Sequence, residues 1–185
     1  MRRIIFASTN EGKFNEIYLH LKSFKIDIEF VKFEIVEIQS NKLEEIALEK
    51  SKAAYKKIGR PLIVEDTGLF IESLKGFPGP YSSYVLKTIG NQGILDLLLG
   101  RTNRSALFRS ILAYNDGNNN ITFCGDTKGN ICDHITEGGW GYDPIFIPEG
   151  SSVTYAELGV TNKIGISHRT HALNNFAEWY CENYS

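Results

Sequence analysis

What this sequence has little of narrows its class before any motif is considered. Cysteine is scarce: the three are Cys124, Cys132 and Cys181, an odd number without CxxC spacing. That pattern excludes a disulfide framework and a structural zinc site, and predicts buried thiols in a reducing cytoplasm. An excess of either charge is also missing, since 20 Lys and Arg stand against 22 Asp and Glu for a net charge of −2. A binder of duplex nucleic acid or of an anionic membrane needs a surplus of Lys and Arg, so polymeric nucleic acid and membranes are not expected partners. No apolar run approaches the roughly 20 residues of a membrane span, and the first strand follows the N-terminus with no signal-peptide layout. Internal repeats and low-complexity tracts are absent as well. A single cytosolic domain over residues 1–185 is the expectation, with 42% hydrophobic residues to build its core.

Within that frame the chain opens as strand, small-residue loop and helix. Ile4, Ile5, Phe6 and Ala7 read as a buried strand, and Ser8-Thr9-Asn10-Glu11-Gly12 supplies turn and N-cap chemistry. Phe14, Ile17, Tyr18, Leu21 and Phe24 then follow helical spacing. A half-exposed strand is predicted through Ile26, Ile28 and Phe30, and a helix from about Leu43 to Ile58 with Lys50 on its apolar stripe. Pro61 to Val64 form a further buried strand that continues in extended form through Ile71. Residues 75–80 are predicted as a Gly- and Pro-rich loop, and a helix covers Ile94 to Leu99. Ser105 to Tyr114 and Ile121 to Cys124 read as a hairpin around Asp116-Gly117-Asn118-Asn119-Asn120. The last helix starts near Ser167, with its stripe on Ala172, Leu173, Phe176, Ala177, Tyr180 and Cys181. Alternating strands and helices, followed by a strand-rich stretch, predict a mixed α/β protein with one twisted sheet and flanking helices.

Four places carry residues suited to chemistry, and each has an ordinary structural alternative. The loop Ser8 to Lys13 sits at a helix N-terminus, where unpaired N–H groups and a partial positive charge suit a phosphate. It lacks the Walker A layout, and a plain N-cap turn is the alternative. Asp66 ends a strand, and Glu37 precedes the second helix. Two carboxylates suffice for Mg²⁺, which takes its other ligands from phosphate and water, although both also read as solvated surface acids. Glu65 and Asp66 are adjacent in a strand and point to opposite faces. Ser167-His168-Arg169 places two potential cations in the first turn of the last helix, against its dipole, with Lys163 just upstream. Either an anionic or carbonyl-bearing ligand or a surface acid would compensate them. Trp140, set between Gly139 and Gly141, offers either an indole face for a nucleobase or a buried ring in a turn.

Five segments, in order along the chain, carry a resemblance. They are Ala7-Ser8-Thr9-Asn10-Glu11-Gly12-Lys13, Val64-Glu65-Asp66-Thr67-Gly68-Leu69, Gly76-Phe77-Pro78-Gly79-Pro80-Tyr81-Ser82 and Gly139-Trp140-Gly141-Tyr142-Asp143-Pro144. The fifth is Thr154 to Leu158 followed by Lys163 to Arg169. In these the chain resembles the inosine triphosphate pyrophosphatases, the Ham1-like family that acts on non-standard purine nucleoside triphosphates. The resemblance implies an elongated, two-lobed α/β fold with a mixed sheet, flanking helices, a central substrate cleft and commonly a homodimer. It implies hydrolysis of ITP, dITP and XTP to the monophosphate and pyrophosphate, with Mg²⁺ as cofactor. By position, Ser8, Thr9, Asn10 and Lys13 fall in the triphosphate loop, Lys50 on a phosphate, and Thr67 beside the strand-end acid. Glu37 and Asp66 match metal ligands, with Asp66 also the base. Trp140, Gly141, Tyr142, Asp143, Lys163, His168 and Arg169 match the base pocket. Trp stands at 140 where relatives often carry Phe, and Ser83-Tyr84 replaces basic residues found in some relatives.

The expected reaction is attack of water on the α-phosphorus, with pyrophosphate leaving. Selectivity is expected from a donor such as Arg169 facing the 6-oxo edge of hypoxanthine or xanthine, which adenine's 6-amino group cannot satisfy. A septum-related (Maf-type) pyrophosphatase is the near alternative, and its Ser-x-Ser-Pro-Arg-Arg first loop differs from the loop here. A non-catalytic nucleotide-binding module is the distant one, and it would not need Asp66 and Glu37 beside a phosphate loop.

Overall fold

A computed structural model describes residues 3–35 and 38–184. Glu37, one of the two expected metal ligands, lies outside the described residues.

The first strand, β1 (Ile4–Ser8), has four consecutive apolar residues buried, as expected of a strand covered on both faces. It pairs in parallel with β2 (Ile28–Lys32), Ile4 opposite Ile28, and with β3 (Leu62–Ile71), Ile5 opposite Leu62. Parallel neighbours need crossovers, which α1 (Glu11–Ser23) and α2 (Leu43–Ile58) provide. Glu44 and Glu45 in the first turn of α2 and Lys56 and Lys57 in its last complement the helix dipole. The chain continues through β4 (Pro78–Gly79), α3 (Ser82–Thr88), α4 (Gly90–Leu97), β5 (Ser105–Asn115), β6 (Asn120–Ile131) and β7 (Phe146–Pro148). Two helices close it, α5 (Tyr155–Ile166) and α6 (His168–Tyr184). Among the described residues the sheet has seven strands in the order β2-β1-β3-β5-β6-β7, with β4 antiparallel to β3. The mixed α/β class expected from the sequence is the one found.

Two compact units share the chain. Unit 1 comprises 1–66, 110–125 and 169–185, and unit 2 comprises 67–109 and 126–168. The core of unit 1 packs Ile4, Phe6 and Ile63 from its strands against Ile17 and Leu21 of α1 and the Ala172, Leu173, Phe176, Ala177 and Tyr180 stripe of α6. The core of unit 2 gathers Leu69, Ile71, Ala106, Phe108 and Ile131 against Val85, Ile94, Leu95 and Tyr155. Each unit has its own apolar centre, and each can therefore position side chains at its strand ends independently.

Three departures from the sequence reading have local causes. The strand after the hairpin runs to Ile131, well past Cys124, because its inward positions include Gly125, Thr127 and Gly129 and so hide the period-2 signal. Helix α5 was not predicted: Gly159, at φ 72°, breaks its period, while Thr154 starts it with a capping box to Glu157. Helix α3 was missed too, since its Ser, Tyr, Val and Thr residues are weak helix formers. The cysteines also differ from expectation. None is buried: Cys124 is exposed, and the free thiols of Cys132 and Cys181 are half-buried.

Candidate active site

In unit 1 the site begins where β1 runs into α1. The Ser8 hydroxyl accepts from the Asn10 N–H (3.1 Å), and the Asn10 side-chain carbonyl caps the helix by accepting from the Lys13 N–H (3.0 Å). These bonds fix the turn, leave Thr9 exposed, and place Lys13 in the first helical turn. The Lys13 ammonium lies 2.6 Å from Glu65 Oε2. Glu65, on β3, is fully buried, and its Oε1 accepts from Ser110 Oγ (2.5 Å) and Arg169 Nε (3.2 Å). Arg169 also donates through Nη1 to Glu16 Oε2, on the inner face of α1. Burial alone would raise the Glu65 carboxyl, but the charges of Arg169 and Lys13, helped by hydrogen bonds from Lys13 and Ser110, hold it well below the usual carboxylate range. Two acids and two cations thus balance one another inside unit 1.

The alternation of β3 does what its sequence requires: Glu65 turns inward, and Asp66, next along, is half-exposed. Lys50 is half-buried on α2 and lies on the helix face whose buried residues are Leu43, Ile46, Ala47, Ser51 and Ala54, as its spacing predicts. Thr67, the first residue of unit 2, is half-buried.

In unit 2 the loop before β7 carries the second group of residues. Gly139 has φ 65°, and a Cβ there would come within 2.8 Å of Asp143 Cβ and 2.9 Å of Ala156 Cβ, so only glycine fits. The next residue, Trp140, is half-exposed, and its backbone is tied to Asp143 in both directions (Trp140 N to Oδ2, 3.4 Å; Asp143 N to Trp140 O, 3.2 Å). Lys163 donates to Asp143 Oδ2 at 2.7 Å, with both side chains buried, and its ammonium lies 4.7 Å from the centre of the Trp140 ring. Tyr155 covers the same ammonium at 5.6 Å. Tyr142 is buried, its hydroxyl donating to the Ser82 carbonyl (2.8 Å). His168 is buried, its ring stacked on Phe108 with centroids 4.5 Å apart.

The structure therefore brings Ser8, Asn10 and Lys13 together in unit 1, and Trp140, Gly141, Tyr142, Asp143 and Lys163 together in unit 2. Arg169 departs from the open base-edge donor expected of it. Its guanidinium is 2% exposed and engaged by Glu16 and Glu65, which supply the charge its place in the first turn of α6 demands. Glu16 and Glu65 are the residues sequence reasoning missed as site components. The available signals were an acid three residues after Lys13, on a helix face that also carries Ile17, and an acid inside a buried strand.

Unit 1 thus carries a capped helix N-terminus with a flanking lysine and a half-exposed carboxylate in the middle of β3, not at the strand end that the sequence predicts. Unit 2 carries an indole beside a buried lysine. The Ham1 family matches residues 4–179, and this chain belongs to it. It is 51% identical over 98% of its length, and 97% of the other chain, to the dITP/XTP pyrophosphatase of Methanopyrus kandleri. It is 45% identical over 98% of both chains to the enzyme of that name from Thermococcus kodakarensis. Among solved structures, a HAM1 protein from Coxiella burnetii superposes with a TM-score of 0.85 at 30% identity, covering 98% of this chain and 100% of the other.

Proposed function

We infer that this chain hydrolyses non-standard purine nucleoside triphosphates, dITP, ITP and XTP, to the monophosphate and pyrophosphate. The observation that carries this reading is the near-full-length identity to relatives named dITP/XTP pyrophosphatase. Removing such nucleotides cleanses the pool from which polymers are made.

In this reading Asp66, half-exposed at its strand, takes the proton of the water that attacks the α-phosphorus. Lys13, Lys50 and the N-terminus of α1, with Ser8, Thr9 and Asn10 around it, hold the phosphate charge of the leaving pyrophosphate, and Thr67 lies beside the base. Trp140 stacks on the purine. The Lys163 ammonium is a donor with no acceptor capacity, held beside that plate by Asp143. It suits a 6-oxo acceptor and leaves a 6-amino donor unsatisfied. Tyr142, Gly141 and His168 shape the base pocket, and Arg169 acts by holding Glu16 and Glu65.

Mg²⁺ is the cofactor of this reading. The donor chemistry fits: Asp66 is a half-exposed, hard oxygen donor, suited to an ion that draws most of its ligands from phosphate and water, with Asp66 and Glu37 as the protein's contribution. Lys13 shares its charge with Glu65, so a triphosphate calls for positive charge beyond Lys13 and Lys50. When bound, the ion neutralises phosphate charge.

A homodimer fits large apolar side chains left exposed in unit 2, Tyr84 at 69% and Leu99 at 77%. The free thiols of Cys132 and Cys181 suit a reducing cytoplasm, where the nucleotides are. No helix among the described residues is long and apolar enough to cross a membrane.

The test is purified protein with Mg²⁺ and a panel of ITP, dITP, XTP, ATP and GTP, with pyrophosphate and orthophosphate assayed separately. Pyrophosphate from the first three, with little from the others, is expected. Orthophosphate instead would place attack at the γ-phosphorus and overturn the mechanism. Binding without turnover of any nucleotide would leave a non-catalytic module.

A further inference from the structure

The loop that carries Trp140 is built from residues that do not hold a shape by themselves. Gly138, Gly139 and Gly141 all have positive φ (85°, 65° and 65°), and a Cβ added at Gly141 would meet nothing within 4 Å. Glycine gives the backbone this freedom, so bonds from outside the loop add to the Trp140–Asp143 pair in directing the indole plane. One comes from α4, 50 residues away: Asn91 Nδ2 donates to the Gly141 carbonyl at 3.1 Å. Tyr142, one residue on, is anchored to the Ser82 carbonyl at the start of α3.

The Asn91 amide shows what its place is for. A carbonyl can only accept, so Gly141 fixes which end of the amide faces it. The other end, Oδ1, is buried with no hydrogen-bond partner among the described residues. Asparagine at a helix start ordinarily turns back onto the local backbone, which would satisfy that oxygen. Here the side chain instead spans to the loop and leaves its acceptor unmet, an arrangement unfavourable for stability alone.

We propose that Asn91 is a positioning residue for base recognition. By holding the Gly141 carbonyl it sets the plane of Trp140 beside the Lys163 ammonium, and so tunes affinity for the oxopurine without touching the nucleotide. The proposal rests on Trp140 being the plate on which the base stacks.

Asn91→Asp keeps size and shape but exchanges the donor for a charged carboxylate, placing an oxygen against the Gly141 carbonyl. Expected is a rise in KM for ITP of about three- to tenfold, the size of one hydrogen bond, with kcat nearly unchanged. In a Trp179→Phe background, where Trp140 is the remaining tryptophan of the two in the chain, Asn91→Asp should also shift indole emission to the red and speed its quenching by acrylamide. Gln92→Ala, on the same helix and bonded to Asp96 at the surface, should alter neither readout. Thermal unfolding confirms that each variant is folded, and Asn91→Ser gives a smaller uncharged comparison if Asn91→Asp is not.

The outcomes separate. If Trp140→Ala leaves KM for ITP unchanged, Trp140 is not the base plate, and both that assignment and this proposal fall. If Trp140→Ala raises KM while Asn91→Asp changes neither KM nor indole emission, the plate stands and the proposal alone is overturned. A lowered unfolding temperature with unaltered KM and emission would make Asn91 merely structural, which also overturns it.

Discussion

The two units place lysines in opposite kinds of company. In unit 1 Lys13 belongs to a network in which charge answers charge: Glu65 takes Lys13, Arg169 and the Ser110 hydroxyl, and Arg169 reaches on to Glu16. In unit 2 Lys163 has Asp143 as its carboxylate and is otherwise roofed by the rings of Trp140 and Tyr155. The first arrangement is electrically balanced and leads outward through Lys13, whose side chain is 15% exposed at a helix N-terminus. The second encloses its charge and presents a flat aromatic surface. Charge handling and shape recognition are thus built separately, and variants in one unit should spare what the other does.

The largest effect should come from the half-exposed acid of unit 1. Asp66→Asn is expected to cut pyrophosphate release roughly 10²- to 10⁴-fold while leaving circular dichroism and unfolding almost unchanged. Activity close to that of the unchanged protein would remove Asp66 from the chemistry. Its neighbour should behave in the opposite way. Glu65→Gln leaves Arg169 and Lys13 short of a buried counter-charge and should cost about 3–5 kcal/mol in urea unfolding. A cost near zero would mean that the network is not structural and would collapse the contrast with Asp66.

The same carboxylate predicts an acid limit. Because the folded-state pKa of Glu65 is depressed, its contribution is present above the unfolded value of about 4.3 and disappears as pH falls through the lower folded value. Unfolding monitored below about pH 4 should therefore show a steep loss of stability that Glu65→Gln lacks.

On the other side of the comparison, Trp140→Ala should raise KM for ITP about tenfold or more, the size of one base–aromatic stack, with kcat and stability changed less. Equal losses in kcat and kcat/KM would instead place the indole in the transition state. The smallest effect is expected at the start of α5. Thr154→Ala breaks the capping box with Glu157 and should lower stability by about 1 kcal/mol without altering the Asp66-dependent step. A loss of turnover in that variant would show that the two functions are less separate than the packing implies.

How much of this was legible beforehand varied with the kind of residue. Strongly periodic segments were: β1, α1, α2 and the stripe of α6 lie where their apolar spacing put them, because burial on one face imposes that spacing directly. Segments with small or mixed residues on their inner face were not, as with β6 and α5. The Asn10 cap was legible from the turn chemistry and the outward Asp66 from alternation, since both are local.

The partners of those residues were not local. By itself the sequence determined the α/β class, the family pattern, the helix N-terminus in the Ser8–Lys13 segment and the opposite faces of Glu65 and Asp66. Only the tertiary structure decided that Arg169 closes on Glu16, 153 positions away, and on Glu65, 104 away, instead of standing open. It also decided that Asn91 reaches Gly141. Spacing along a chain fixes which face a side chain takes, but the charge or donor it meets there is set by packing between elements distant in sequence, which no local period records.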